Sequence, residues 1–327
     1  MKIIIILTIA LCSLEAKSQQ KEYSYYKTIH MTDATGWDYL AVDEQNRNIY
    51  FSAGTNVAVA SVDKDSVIAL IPKTIGVHGI TFDYASNKGF ISNGKANSVT
   101  VFDLKHFTVL DTVAVTGTNP DAILYDPFSK MVFAFNGKTN NATVIDPVTL
   151  KVVNTIELPG KPEFAVTDLK GKIYVNIEDK SEIVQLDAKQ LKVLNTWSIA
   201  PGEEPSGLAI DRTNNLLFSV CSNKTMIVFD IKKNKVIDSL PIGGRVDAVV
   251  FDPRSKLIYS SNGEGNVTIA KQLTAAKYQV IQTLNTQKGC KTMALDSKTG
   301  KIYLPAAKFE GDTRKIVAGS FEVLIYK

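Results

Sequence analysis

The chain has 327 residues, 45% hydrophobic and 21% charged, with 20 glycines and 11 prolines, which excludes a disordered chain, a collagen-like repeat and a polytopic membrane protein. Three cysteines, Cys12, Cys221 and Cys290, are too few for a disulfide-stapled fold. Lysine and arginine exceed aspartate and glutamate by 37 to 33, a net charge of +4 spread along the chain, so the focused basic face of a nucleic-acid binder is not written here.

The chain opens on a segment that reads as an export signal. Lys2 supplies a positive start, Ile3 to Leu14 an apolar stretch too short to cross a bilayer, and Ala16-Lys17-Ser18 a small-x-small cleavage site. Residues 1–18 are therefore expected to be removed, leaving Gln19 first in a periplasmic or secreted protein with no membrane span. The competing reading is a buried N-terminal strand or helix. Leu11 before Cys12 is too large for a lipoprotein anchor site.

Residues 19–327 are expected to form one domain. After a strand-like Tyr23–Ile29, an aspartate ending a short apolar run recurs at Asp43, Asp83, Asp126, Asp168, Asp211, Asp252 and Asp296, at spacings of 40, 43, 42, 43, 41 and 44 residues. Seven residues further on stands an aromatic, Tyr50, Phe90, Phe133, Phe218, Tyr259 or Tyr303; in the fourth unit a shorter turn brings Tyr174 one residue early. Each unit holds four short runs rich in Val, Ile, Phe, Tyr and Thr between Asn, Gly, Asp and Pro turns. In the third they are 122–125, 131–135, 142–145 and 152–158. Four strands per period of about 42 residues predict an all-β, seven-bladed β-propeller of four-stranded antiparallel blades. Six units carry a fourth strand, and the seventh stops after its third, at 321–326. The spare strand at 23–29 is therefore expected to complete the seventh blade and latch a monomeric ring.

Pro205-Ser206-Gly207-Leu208-Ala209-Ile210-Asp211, the second-strand aromatics and Ser-Asn-Gly turns such as Ser92-Asn93-Gly94 resemble the YVTN-repeat propellers of the YncE family over about residues 36–327. Val101-Phe102-Asp103 and Val144-Ile145-Asp146 approach the family repeat without reproducing it. Unit six has Lys271 where the aspartate falls, and unit seven carries an insertion around 309–314. The resemblance implies an exported propeller and no particular activity.

Motifs for catalysis are absent: there is no His-Glu-x-x-His, Gly-x-Ser-x-Gly or Cys-x-x-Cys-His. Gly137-Lys138-Thr139 lacks the earlier glycine of a phosphate loop, having Val132 there, and reads as an Asn136-Gly137 hairpin turn. Cys221 and Cys290 fall two blades apart, so no disulfide is expected between them. His30 and His106 lie on an outer strand and a turn and are expected to be exposed.

The informative position lies five residues before each repeating aspartate, at the start of the innermost strand. Its occupants are Asp38, His78, Asp121, Glu163, Ser206, Asp247 and Lys291. They should ring one mouth of the central channel, with Trp37 and Arg245 just before the ring. The turns after the second strands, carrying Asn93, Asn136, Asn176, Glu178, Cys221 and Asn262, should reach the same face. The following position is often small (Gly79, Ala122, Gly207, Ala248), as close strand approach requires. Two carboxylates about 8 Å apart repel by roughly 2 kcal/mol at an effective dielectric near 20. Asp38, Asp121, Glu163 and Asp247 together therefore call for a hard cation such as Ca²⁺ or Mg²⁺, a shared proton, or compensation by His78, Lys291 and Arg245. The plainer alternative is polar groups that cap turns and hold water.

Three functions remain. The first is a binding or interaction module that takes a small ligand, ion or protein partner at the channel mouth. The second is a propeller hydrolase or lyase of lactonase type, with His78 or Glu163 as base and Arg245 or a metal as electrophile. The third is nucleic-acid binding through outer lysines such as Lys170, Lys172, Lys232, Lys233 and Lys235, which solvated turns explain better.

Overall fold

The recurring aspartates act first on the backbone. In the computed structural model, which describes residues 22–31, 36–311, 313 and 315–327, all seven accept a backbone N–H two or three residues ahead at 2.7–3.3 Å. Each therefore caps the turn between the first and second strands of its unit, the ordinary use of an Asx turn. Asp103, Asp146, Asp187 and Asp230 cap the turns between third and fourth strands in the same way. The repeat is thus a repeat of turn chemistry. The segment expected to be an export signal lies outside the described residues.

Between these turns the chain forms seven four-stranded antiparallel sheets. Blade 1 is Leu40–Asp43, Asn48–Ala53, Asn56–Ser61 and Ser66–Ile71; blade 3 is Pro120–Asp126, Met131–Asn136, Asn141–Asp146 and Lys151–Glu157. First strands of successive blades touch one another from blade 1 to blade 6, and again between blades 7 and 1, which places them around a common axis. The expected seven-bladed β-propeller is the observed fold. The repeating aromatics Tyr50, Phe90, Phe133, Tyr174, Phe218, Tyr259 and Tyr303 are at most 2% exposed and pack between blades. Tyr50, for example, meets Phe82 and Phe102 of blade 2 at ring-centroid distances of 5.0 and 5.5 Å. Truncating one such ring to alanine costs about 3–5 kcal/mol.

The ring closes through its first strand. Tyr25–His30 pairs antiparallel with Glu322–Tyr326, from Tyr25↔Tyr326 to His30↔Glu322 with a bulge between Tyr25 and Lys27, and completes the sheet of Lys301–Ala306 and Ala294–Asp296. Tyr23, just before it, ties blade 7 to blade 6. Its hydroxyl bonds Tyr259 Oη at 2.8 Å and the Gly300 carbonyl at 2.9 Å, and its backbone exchanges two hydrogen bonds with the Gln282 amide at 2.9 and 2.8 Å. Two ion pairs fasten blade 7 to blade 1. Arg47 grips Asp296 with both terminal nitrogens at 2.7 and 2.9 Å, and buried Lys301 meets buried Asp65 at 2.7 Å. Cys221 and Cys290 are free, buried thiols, each pushed up to about 12 by burial.

Deleting residues 22–31 should lower the melting temperature by more than about 10 °C, because it strips a sheet edge and opens the seam. Gln282→Leu, which removes only the two amide bonds to Tyr23, should cost about 1–2 kcal/mol in denaturant unfolding. A deletion that melts with the intact chain refutes the latch.

Candidate functional site

In blades 2 to 6 the ring position is the second residue of the first strand, and there the strand bulges. Pairing with the second strand breaks between Val77 and Ile80, Pro120 and Ile123, Pro162 and Ala165, Pro205 and Leu208, and Val246 and Ala248. A bulge frees backbone groups and re-aims a side chain. Several carbonyls at the ring position, in bulged and unbulged blades alike, are captured by polar side chains of the preceding blade. Ser92 Oγ donates to the Asp121 carbonyl at 2.5 Å, Asn176 Nδ2 to Ser206 at 3.0 Å, Ser261 Oγ to Lys291 at 2.6 Å and Thr292 Oγ1 to Asp38 at 2.6 Å. At four of the seven seams a blade thus fixes the ring residue of the next.

The side chains form a circlet in which cations separate carboxylates. His78 Nδ1 lies 2.5 Å from Asp38 Oδ2 and 3.8 Å from Asp121 Oδ1. Lys291 Nζ pairs with Asp247 and sits 4.0 Å from Asp38 Oδ1. Lys161, two residues before the ring, bridges Glu163 at 2.7 Å and Glu178. Burial alone lowers the His78 pKa, but the Asp38 hydrogen bond and the charges of Asp121 and Asp38 outweigh it and hold it above its ordinary value. Burial, reinforced by Asp38, pushes Asp121 up to about 6 against the pull of His78. Burial also raises Asp247 and Glu163, each opposed by its own lysine. Burial works against the Lys291 ammonium, but Asp247 and Asp38 together hold it well above its ordinary value.

Beneath the circlet lies an aromatic floor. Tyr39 and Phe164 occupy the position that is Gly79, Ala122, Gly207 and Ala248 in other blades. Their rings meet across the axis with centroids 5.4 Å apart. The small residues make the room: a Cβ on Gly207 would lie 2.8 Å from the Asp247 carbonyl oxygen, and one on Gly79 3.1 Å from that of Asp121. The Tyr39 phenol is held protonated, well above its ordinary pKa, by burial and by the nearby Asp121, Asp38, Glu163 and Asp247. A cavity of about 270 Å³ lined by Phe164, Val249, Met293 and Leu295 lies on one side of these rings.

Other expected site residues fall elsewhere. Asn93, Asn136 and Asn262 are at most 1% exposed, and their amides donate inside their own blades, to Thr100, Thr143 and Thr268 at 2.8, 3.0 and 3.1 Å. They brace the second strands and do not line the mouth, which corrects the reading from turn position. Ser206 donates to the Val246 carbonyl at 3.3 Å and brings no charge to the circlet. Trp37, Arg245 and Lys291 line a separate pocket of about 420 Å³ beside it, with Phe309 and Ile316. Of the carboxylates proposed for a hard cation, Asp247 and Glu163 are taken by lysines. Among the described residues, only Asp38, His78 and Asp121 bring ligating atoms within 4.8 Å of one another. An imidazole nitrogen among the three ligating groups and an ammonium 4.0 Å from Asp38 do not suit Ca²⁺ or Mg²⁺, which prefer an all-oxygen shell. Lys161, Tyr39 and Phe164 complete the site and were not among the residues read from the repeat.

The circlet makes stability depend on pH. Asp121 titrates at about 6 in the folded protein against an ordinary 3.8, so the folded state binds protons more tightly than the unfolded chain and loses stability as pH rises from about 4 through 6. The raised His78 pKa acts in the same direction: its contribution is complete below about 6.5 and fades as pH passes its folded value. Asp121→Asn should therefore flatten the fall in melting temperature between pH 4 and 6.5 relative to the native chain. Parallel profiles for the two proteins would show that Asp121 does not ionise within the circlet.

No protein-family model matches the chain. It is 26% identical over 213 residues to Antigen Lp49 of Leptospira interrogans serogroup Icterohaemorrhagiae serovar copenhageni (strain Fiocruz L1-130), a match covering 60% of this chain and 46% of the relative, so the chain spans about half of that protein. Among solved structures it resembles a chain of the Kuenenia stuttgartiensis hydrazine synthase, with a TM-score of 0.72 and 16% identity over 84% of this chain and 93% of the other. It also resembles a chain of the mitotic checkpoint complex, with a TM-score of 0.79 and 12% identity over 100% and 98%. At these identities the likeness is one of fold: the chain is a seven-bladed β-propeller.

Proposed function

We propose that this protein is a ligand-binding module, an exported propeller of the YVTN-repeat YncE kind, that receives a small charged molecule in the bowl formed by the circlet and its aromatic floor. The observation that carries this reading is the circlet itself. Seven ionisable side chains stand together at this mouth: Asp38, His78, Asp121, Lys161, Glu163 and Asp247 are partly or fully buried, and Lys291 is exposed. Within it Asp121 Oδ1 is buried with no hydrogen-bond partner among the described residues. An unsatisfied acceptor beside an accessible bowl is an opening for a ligand donor. A hydrolase of lactonase type is the second reading, favoured by the short Asp38–His78 contact, which orients the imidazole. Two features weigh against it. A histidine whose protonated form is favoured is a poor base near neutral pH, and its Nε2 lies against Gly94, where a Cβ would come within 2.5 Å. Carboxylates at the mouth also repel nucleic-acid phosphates. Among the described residues no helix is long and apolar enough to cross a membrane.

The test is a thermal-shift screen of amino acids, sugar acids, polyamines, Ca²⁺ and Mg²⁺, each alone, against the native chain and the Asp121→Asn, Glu163→Gln double variant. A true ligand at about 100 times its Kd stabilises by about 2.7 kcal/mol, a rise of roughly 5 °C, and the rise should vanish in the double variant. If the double variant fails to fold, or every stabilising compound acts on both proteins alike, the circlet is structural. Export is tested separately: intact-mass analysis of the periplasmic or secreted protein should find Gln19 at the N-terminus, and recovery of intact Met1 in the cytoplasm removes this part of the proposal.

A further inference from the structure

The pocket beside the circlet differs from it in chemistry. It measures about 420 Å³, and among the described residues its side chains are Trp37, Phe309, Ile316, Arg245 and Lys291, with glycines between them. Trp37 is held rigid by stacking on Phe321 at 5.5 Å and by Phe309 at 5.8 Å. Its indole N–H is buried and has no acceptor among the described residues. Arg245 is exposed and makes no ion pair among the described residues, whereas Lys291 is already shared by Asp247 and Asp38. Among the described residues, the side chains of this pocket therefore offer aromatic surface and hydrogen-bond donors but no acceptor. Gly263 keeps the two cations on one wall, since a Cβ there would lie 3.2 Å from Arg245 Cβ and 3.3 Å from Lys291 Cβ.

We infer that this pocket binds an aromatic monocarboxylate. Donors without acceptors select an anion. One uncommitted guanidinium, beside an ammonium already neutralised, supplies about one net positive charge, which matches a carboxylate rather than a dianionic phosphate. The planar fork of arginine takes a carboxylate in two parallel bonds. The flat body of the ligand lies against Trp37 and Phe309. The volume suits one or two fused rings, at the lower end of small-molecule sites. The inference rests on the reading of this face as the ligand-binding one and gives the ligand class.

The sequence has two tryptophans, Trp37 and Trp197, so Trp197→Phe leaves Trp37 as the sole emitter. In that background, benzoate, indole-3-acetate and 2-naphthoate are titrated alongside their amides and phenyl phosphate, following tryptophan emission and, in parallel, calorimetry. At least one carboxylate should saturate the signal, its amide should bind at least 10-fold more weakly, and Arg245→Asn should weaken the carboxylate at least 10-fold. Asparagine is chosen because Arg245 has φ +58°, a conformation that asparagine tolerates. The inference is overturned if no carboxylate saturates at millimolar concentration, if the amide or phenyl phosphate binds as well, or if Arg245→Asn has no effect. If it fails while ligands dependent on Asp121 and Glu163 are still found, only this ligand class is wrong. If those are also missing, the reading of the whole face falls with it.

Discussion

Seven strand starts that converge on one axis must set their side chains at one level, each beside the next, and this proximity governs the rest of the upper face. Carboxylates so placed cannot all ionise unless a positive charge stands between them. The sequence supplies that charge from within, through His78 between Asp38 and Asp121, Lys291 between Asp247 and Asp38, and Lys161 beside Glu163. The unequal residue types at this position, against uniform apolar residues elsewhere in the repeat, follow from the need for opposite neighbours in a closed ring of odd number. Seven positions cannot alternate perfectly, and the mismatch falls at Ser206, which carries no charge, and at Glu163, whose lysine comes from the preceding loop.

The departures from sevenfold repetition cluster at one seam. Where blade 7 meets blade 1 the first strand enters from the other end of the chain, Arg47 and Lys301 form their ion pairs, and the insertion of unit seven brings Phe309 onto Trp37. The aromatic pocket lies along this same seam. A repeated architecture has equivalent interfaces everywhere except where it closes, and there it can carry a feature found nowhere else in the ring.

Much of the fold was legible because the repeat encodes local chemistry. An aspartate two residues before the amide it caps, or an aromatic at a fixed distance along a strand, behaves alike in every unit. The ring position was legible for the same reason. Side-chain direction was not. Asn93, Asn136 and Asn262 stand at turns that suggested the mouth, yet each amide folds back onto a threonine of its own blade, because a turn position fixes the backbone and leaves the side chain to its neighbours. Tyr39 and Phe164 were hidden behind the glycines and alanines that share their position; the two large residues among small ones were the available sign of an object filling the axis. Lys161 lies outside the aligned position, two residues before Glu163, where an extended chain sets both side chains on one face.

The latch also has a consequence for the order of events during synthesis. Tyr25–His30 is made first, but its only sheet partner among the described residues, Glu322–Tyr326, emerges almost three hundred residues later. Through that interval the strand has no ladder to join, and each new blade adds an unsealed face to a growing arc. Contacts separated by so much of the chain are slow to form and leave edges open to foreign pairing while they wait. A ring sealed by its own first strand must therefore be kept from premature association until the last blade arrives, and the chain commits to its final shape in one late step.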